Sequence, residues 1–203
     1  MVIKYQNLGL IILAGGKSSR MGKDKAFLEL GEGTLIEMLV EKGRDFGFDE
    51  IIIVSNEIEK YLFLKVKVVK DFYPGMGPLA GIHAGLTHSR YWNNFVIPCD
   101  MPFISLELIK QLLAVQNDCK VVVPKIGDKF QPLAALYTKD CVSHIAYLLE
   151  NKISKVIELY DLVKTCYLEI EENNCFFNIN TPDDFLKAKK YVKEDVGYGK
   201  SEG

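Results

Sequence analysis

The stretch Leu8–Lys25, LGLIILAGGKSSRMGKDK, constrains this chain more than any other. Its first six residues are apolar and rich in branched side chains, the pattern of a strand buried on both faces. Gly15 and Gly16 end that run, and Lys17, Ser18, Ser19, Arg20, Lys23 and Lys25 follow. A buried strand that opens into glycines and then into cations suits a polyphosphate. Without a Cβ in the way, backbone N–H groups can approach anionic oxygens. Arg20 and Lys25 can then neutralise charge that the backbone cannot. Two common phosphate loops are excluded by spacing. GxxxxGK[ST] fails because Arg20 stands five residues after Gly15 and Met21 five after Gly16, and GxGxxG fails because the glycines are adjacent. Two adjacent glycines by themselves fit a plain turn before a solvated basic segment.

Downstream, short strand-like runs alternate with helix-like segments. This predicts an α/β fold with a mostly parallel central sheet and helices on both faces. Strands are expected at Leu8–Leu13, Glu50–Val54, Val66–Val69, Phe95–Cys99, Val121–Val123 and Thr165–Ile170. Gly127-Asp128 reads as a turn, after which Gln131–Tyr137 returns as a strand. Helices are expected over Thr34–Arg44, Pro78–Thr87, Leu106–Val115, Lys139–Leu149, Ser154–Leu162 and Pro182–Val192. Ser105 and Thr181 are natural N-caps, and Pro182 suits a first helical position. The segment Pro78–Thr87 carries Ala80, Gly81, Ala84 and Gly85, which weaken a helix intrinsically. Close packing on the sheet and a ligand passing the helix start both account for them. No linker or repeat divides the chain, so residues 1–192 read as one domain and 193–203 as a flexible tail.

Composition narrows the function. A chain of 203 residues with a net charge of −2 lacks the strongly basic footprint of a nucleic-acid-coating protein, so any polyanion is held locally. There is no signal pattern, and no apolar run approaches the roughly 18–20 residues that span a bilayer. A soluble, cytoplasmic protein is expected. Cys99, Cys119, Cys141, Cys166 and Cys175 are widely spaced without a CxxC, which indicates neither a zinc site nor a disulfide framework, and reduced thiols are expected. His83 and His88 fall on different faces of a helix and are not expected to share a metal.

In open α/β sheets, ligands bind beyond the carboxyl ends of the strands. The glycine loop, Asn56, Asp71 and Asp100 all fall at such ends. Asp100 is either a solvated loop cap or a Mg²⁺ ligand, since Mg²⁺ prefers one or two carboxylates together with phosphates and waters. Asp71 suits an Asx turn as well as a ligand contact, and Asn56 a loop. Asn178 and Asn180, two apart, share one face of an extended segment. Thr181, Pro182, Asp183 and Asp184 suit a helix start.

The string LAGGKSSRMGKDK resembles the LAGGxxxRMGxDK signature of the molybdenum cofactor guanylyltransferases, within the nucleotidyltransferase superfamily. Further blocks occur in the family's order. Asp71–Leu86 looks like DxxPGxGPLAGIxxGL, Cys99–Phe103 like CDxPF, Gln131–Tyr137 like QPL-x-ALY, and Asn178–Asp184 like NxNTPxD. The resemblance implies a Rossmann-like nucleotidyltransferase fold and transfer of GMP from GTP to the phosphate of the molybdopterin cofactor, with loss of pyrophosphate. It implies Mg²⁺ on Asp100. It implies nucleotide contacts from Leu13, Ala14, Gly15, Gly16, Lys25, Asn56, Asp71 and Asp100. Catalytic roles would fall to Arg20, Lys25, Asp100, Asn178 and Asn180, with both asparagines near the reacting phosphates and the acceptor. Protein partners would be transient ones, from cofactor biosynthesis or molybdoenzyme maturation, with no nucleic acid and no membrane. Alternatives are a cytidylyltransferase or other small nucleotidyltransferase of the same fold, a non-catalytic GTP-binding module, and a structural or interaction protein. Nucleotide preference, pyrophosphate release and nucleotide-dependent melting separate them.

Overall fold

The computed structural model of the chain describes residues 7–15, 24–171 and 173–198. In chain order the elements are β1 (Leu8–Leu13), β2 (Glu29–Leu30), β3 (Gly33–Thr34), α1 (Leu35–Asp45), β4 (Glu50–Val54), β5 (Lys67–Val69), α2 (Gly77–His88) and β6 (Asn93–Pro98). Then come α3 (Leu106–Ala114), β7 (Val121–Ile126), β8 (Lys129–Phe130), β9 (Ala135–Thr138), α4 (Cys141–Glu150), β10 (Thr165–Glu169) and α5 (Pro182–Tyr198). The main sheet runs β10-β7-β9-β6-β1-β4-β5, with β8 on β7. Within it β9 runs antiparallel to β6 and β7, and β8 antiparallel to β7; the other pairings are parallel.

Every residue of β1 is buried, and the strand is paired on both edges, with β4 and β6. Its side chains alternate across the sheet. Leu8, Leu10 and Ile12 pack with Ile36, Leu39 and Val40 of α1 and with Leu108, Ile109 and Leu112 of α3. Ile11 and Leu13 pack on the other face with Leu79, Ile82 and Leu86 of α2 and with Ile145 and Leu148 of α4. The sequence-based α/β fold, mostly parallel with helices on both faces, is the one observed. A third, smaller core joins Leu30 and Leu35 to Ile179 and to Ala188 of α5.

Local signals explain the helix starts. Thr34 caps α1 in a full capping box: its Oγ1 accepts from Glu37 N–H, and Glu37 Oε2 accepts from Thr34 N–H at 2.8 Å. Ser105 caps α3, and Thr181 Oγ1 accepts from Asp184 N–H at 3.1 Å at the start of α5. The turn at Gly127-Asp128 joins β7 to β8, with Gly127 at φ +55°.

Four expectations need correction. The strand expected over Gln131–Tyr137 is confined to Ala135–Thr138, because Gln131–Ala134 closes into a turn in which Ala134 N–H donates to Gln131 O at 3.1 Å. The segment expected as a helix over Ser154–Leu162 is instead a run of 3₁₀ turns over Val156–Asp161; its buried residues, Val156 and Leu159, are three apart, which matches the three-residue period of that conformation. The final helix does not stop at Val192 but continues to Tyr198, because Lys193-Glu194-Asp195-Val196 contains no breaker before Gly197. Cys119 and Cys166, expected as thiols, form a disulfide with Cα atoms 5.8 Å apart. Cys166 lies in β10 opposite Val122 of β7, so parallel pairing brings together cysteines 47 residues apart. Cys99, Cys141 and Cys175 are free.

The small residues of α2 are explained by packing. A Cβ on Gly85 would overlap Ile11 Cγ2 and lie 2.9 Å from its Cδ1; one on Gly81 would lie 3.0 Å from Leu13 Cδ2. The helix therefore rests its backbone directly on β1. Gly85→Ala should destabilise the protein by about 1–3 kcal/mol through overpacking, although alanine is the better helix former by about 1 kcal/mol. Urea unfolding measures the balance. A variant as stable as the parent would show that α2 can lift off β1 at no cost.

Candidate active site

The site lies where β5, β4, β1 and β6 end side by side. Ala14 N–H donates to Val54 O and Cys99 N–H to Leu13 O, both at 3.0 Å, and Ser55 N–H donates to Val69 O at 2.9 Å. These bonds continue the sheet one residue past each strand. Asp71, Asn56, Ala14-Gly15 and Asp100 are thereby set along one rim, in the spatial order of the strands. Gly15 is exposed there, and a Cβ on it would meet nothing within 4 Å. Gly16 and Arg20 lie outside the described residues.

At one end of the rim three side chains converge. Lys25 Nζ donates to Asp100 Oδ2 at 3.2 Å and to Asn180 Oδ1 at 2.6 Å. Lys25 and Asp100 are each only 19% exposed, so their charges are screened less than those of a surface pair. Lys25 is placed by a 3₁₀ turn, Lys25–Phe27, capped by Asp24. Asp100 is placed by the tight turn that ends β6, in which Met101 N–H donates to Pro98 O.

Asn180 arrives from the other end of the chain. Ile179 N–H donates to Asp100 O at 2.9 Å, which stitches an extended segment to the turn after β6. Ile179 is fully buried, and the flanking Asn178 and Asn180 are half-buried and exposed, the alternation expected of an extended chain. Phe103, Phe177 and Tyr191 form a mutual ring cluster, with centroids 5.4–6.3 Å apart, that pins this segment. Asp184 Oδ2 accepts the N–H groups of Asn180 and Thr181 at 3.1 and 2.9 Å, reciprocating the Thr181 cap. The Thr181 hydroxyl, with those two N–H groups, holds the Asp184 carboxyl below its ordinary pKa.

The opposite end of the rim is occupied by turn geometry. Asp71 Oδ1 accepts from Tyr73 N–H at 2.6 Å, an Asx turn, and Asn56 Oδ1 accepts from Asp71 N–H at 3.3 Å. Both residues thus have structural duties at the place where a ligand contact was expected. The QPL-x-ALY block is structural too: Tyr137 is fully buried and its hydroxyl donates to Pro132 O at 2.6 Å.

Sequence reasoning missed Tyr61. Its ring is fully buried, its hydroxyl donates to Ala14 O at 3.2 Å, and its ring lies 5.3 Å from that of Phe27. One side chain therefore touches both stems of the glycine-rich segment, Ala14 before it and Phe27 after it. No motif marks Tyr61. The only local sign is its pairing with Leu64, three residues on, as the buried positions of the Ile58–Leu64 turn. Burial also pushes the Cys99 thiol up to about 12, with Asp100 adding to the shift, so Cys99 is no nucleophile at neutral pH.

The donor set bears on the metal. Among the described residues no group of three or more His, Cys, Asp or Glu side chains could hold an ion. Asp100 offers one carboxylate and Asn180 an amide oxygen beside it. Zinc would be poorly served by such a set, whereas Mg²⁺ takes one or two carboxylates and completes its octahedron with phosphates and waters. The residues present fit a Mg²⁺ that arrives with a polyphosphate.

Comparison with known proteins bears on the family. Residues 10–165 match the MobA-like NTP transferase domain family. The chain is 38% identical over 198 residues to a probable molybdenum cofactor guanylyltransferase of Clostridium perfringens, covering 88% of this chain and 96% of that one. It is 40% identical over 187 residues to a probable molybdenum cofactor guanylyltransferase of Pelotomaculum thermopropionicum, covering 88% and 90%. Among solved structures, molybdopterin-guanine dinucleotide biosynthesis protein A of Archaeoglobus fulgidus superposes with a TM-score of 0.79 at 28% identity, covering 92% of this chain and 99% of that one.

Tyr61→Phe keeps the ring and removes the hydroxyl, with its bond to Ala14 O and its interaction with Ser55. It should cost about 1 kcal/mol in urea unfolding, while Tyr61→Ala should cost about 3–5 kcal/mol by emptying a buried aromatic site. Equal stability of Tyr61→Phe and the parent would remove the hydroxyl from the account.

Proposed function

This chain belongs to the MobA-like NTP transferase family, and on that premise we propose that it transfers GMP from GTP to the phosphate of the molybdenum–molybdopterin cofactor, yielding the guanine dinucleotide form and pyrophosphate. It is a nucleotidyltransferase of molybdenum cofactor biosynthesis. The observation that carries the reading is the convergence of Lys25, Asp100 and Asn180 at the rim. A cation, a carboxylate and an amide within hydrogen-bond reach of one another suit a triphosphate that brings its own metal.

In the proposed reaction an oxygen of the acceptor phosphate attacks the α-phosphorus of GTP. The new P–O bond forms as the bond from the α-phosphorus to the bridging oxygen breaks, and the electron pair leaves with pyrophosphate. The acceptor oxygen is already ionised, so no side chain need act as a base. Catalysis then rests on positioning and on neutralising charge in the leaving group. The backbone of Leu13–Gly16 holds the nucleotide, with Asn56 and Asp71 along the rim toward the base and ribose. Lys25 and Arg20 carry fixed positive charge to the phosphates. Asn178 and Asn180 orient the acceptor; neutral amides donate to phosphate oxygens without repelling them. Mg²⁺ held by Asp100 would supply charge neutralisation across the phosphate oxygens. GTP as donor and Mg²⁺ as metal go with a cytoplasmic location, and delivery of the product goes with transient contacts to proteins of cofactor biosynthesis or molybdoenzyme maturation.

A thermal-shift panel of GTP, CTP, ATP and UTP with Mg²⁺ tests the nucleotide. GTP at about 100 times its Kd should add ~2.7 kcal/mol of stability, a rise of about 5–10 °C for a chain of this size. Equal shifts with CTP would move the assignment to cytidylyl transfer, and no shift with any nucleotide would end it. Asp100→Asn and Lys25→Ala should each keep the fold and lower kcat/KM for pyrophosphate release by on the order of 10²-fold or more. Near-parent turnover in either variant would remove that residue from the chemistry.

A further inference from the structure

His83 projects from α2 and has no part in the mechanism above. It is 7% exposed, and its Nδ1 is buried without a hydrogen-bond partner, an uncommon condition for a polar atom in a folded protein. What surrounds the imidazole is the loop that follows β5. The Phe72 ring lies 5.8 Å away and the Tyr73 ring 5.4 Å away, meeting the imidazole at 78° and 77°. Phe72 also stacks on His88, further along α2, at 5.2 Å and 7°. This loop begins with Asp71, and Tyr73 N–H is the group that Asp71 Oδ1 accepts. A chain of contacts thus runs from the imidazole, through two aromatic rings, to the carboxylate at the rim.

We infer that His83 is a positioning residue: as the neutral imidazole it seats Phe72 and Tyr73 and so holds the Asp71 loop in the conformation that receives the nucleotide. The inference rests on the reading of Asp71 as a nucleotide contact. A proton on His83 would undo the arrangement in two ways. It would place charge at Nδ1, where the described residues offer no acceptor. It would also draw on the Asp71 carboxylate, which the turn now employs.

The charged surroundings give the sign. Burial is the largest influence and lowers the His83 pKa; Asp71 and Glu150, at the end of α4, oppose it, and His88 on the same helix adds to it. The folded pKa therefore lies below that of the unfolded chain. A histidine depressed in this way leaves the native loop unaffected above the unfolded value of about 6.5 and weakens it progressively as the pH falls below that. The alternative is a plain packing role, which would change stability but not the pH dependence of binding.

The test uses the full chain and GTP with Mg²⁺. Kd by calorimetry, and kcat and KM by pyrophosphate release, are measured between about pH 5.5 and 8 for the parent, His83→Phe, His83→Asn and Phe72→Ala. GTP's own phosphates titrate in this range, but equally for every variant. The parent should lose GTP affinity on the acid side by about five-fold more than either His83 variant, neither of which titrates. Phe72 is 53% exposed, so Phe72→Ala should fold, and it should raise KM several-fold with kcat within about two-fold. The inference is overturned by a parent-like acid limb in folded His83→Phe or His83→Asn, or by an unchanged KM in Phe72→Ala. Should neither His83 variant fold, Phe72→Ala decides alone. A parent protein that binds no GTP at any pH overturns the reading of Asp71 itself, and this inference with it.

Discussion

The pairing of β1 on both edges is the constraint on which the rest depends. A strand with buried residues on both faces and hydrogen-bonded neighbours on both sides has no freedom of register, because a slip of one residue would turn each of its side chains to the wrong face. The carboxyl ends of β4, β1 and β6 are therefore level, and the residues that leave them emerge at fixed separations. α2 reinforces this by laying Gly81 and Gly85 against Leu13 and Ile11, so the helix that follows the Asp71 loop is docked on the strand that leads into the glycine-rich segment. Small residues that would weaken an isolated helix are here the means of close approach.

Among the described residues, opposite charges meet at one end of the rim. Lys25 faces Asp100, and the Asn180 amide oxygen shares the same ammonium group. With a net charge of −2 the chain has no broad positive field to concentrate anions. A polyanion at this rim would be held by short-range donors, namely backbone N–H groups and a few cations. Among the described residues no cluster of acidic side chains could form an all-protein cation cage.

What could be read in advance was what is local. β1 and β4 occupy their expected bounds, and the Ser105 and Thr181 caps function as their residue types predict. The rim residues were legible because strand ends are. The bond between Lys25 and Asn180, 155 residues apart, was legible only as two blocks of a family resemblance; neither block says that the ammonium and the amide meet. No motif marks Tyr61 or His83, since what matters is what other segments place around them. The Cys119–Cys166 pair went unread for the same reason, its partners being joined by strand adjacency rather than by spacing. The extent of α5 went unread for another: a run of charged helix formers looks the same in a tail as in a helix.

The third core shows how such distant groups are held together. Lys25 immediately precedes the segment that leads into Leu30, and Asn180 immediately follows Ile179; Leu30 and Ile179 belong to the same apolar cluster with Leu35 and Ala188. Burying Ile179 fully contributes about 1.5–3 kcal/mol. The bond from its N–H to Asp100 O then ties that cluster to the end of β6. The three groups at this end of the rim are thus positioned from two directions: Asp100 by the end of β6 and Lys25 by the main core through Ala26 and Phe27, and Asn180 by the small core through Ile179. The Thr181–Asp184 cap directly follows Asn180, and Asp184 Oδ2 accepts the Asn180 N–H, so the N-terminus of α5 helps set the orientation of that residue. The segment Asn178–Asp184 is therefore part of the architecture of the candidate site.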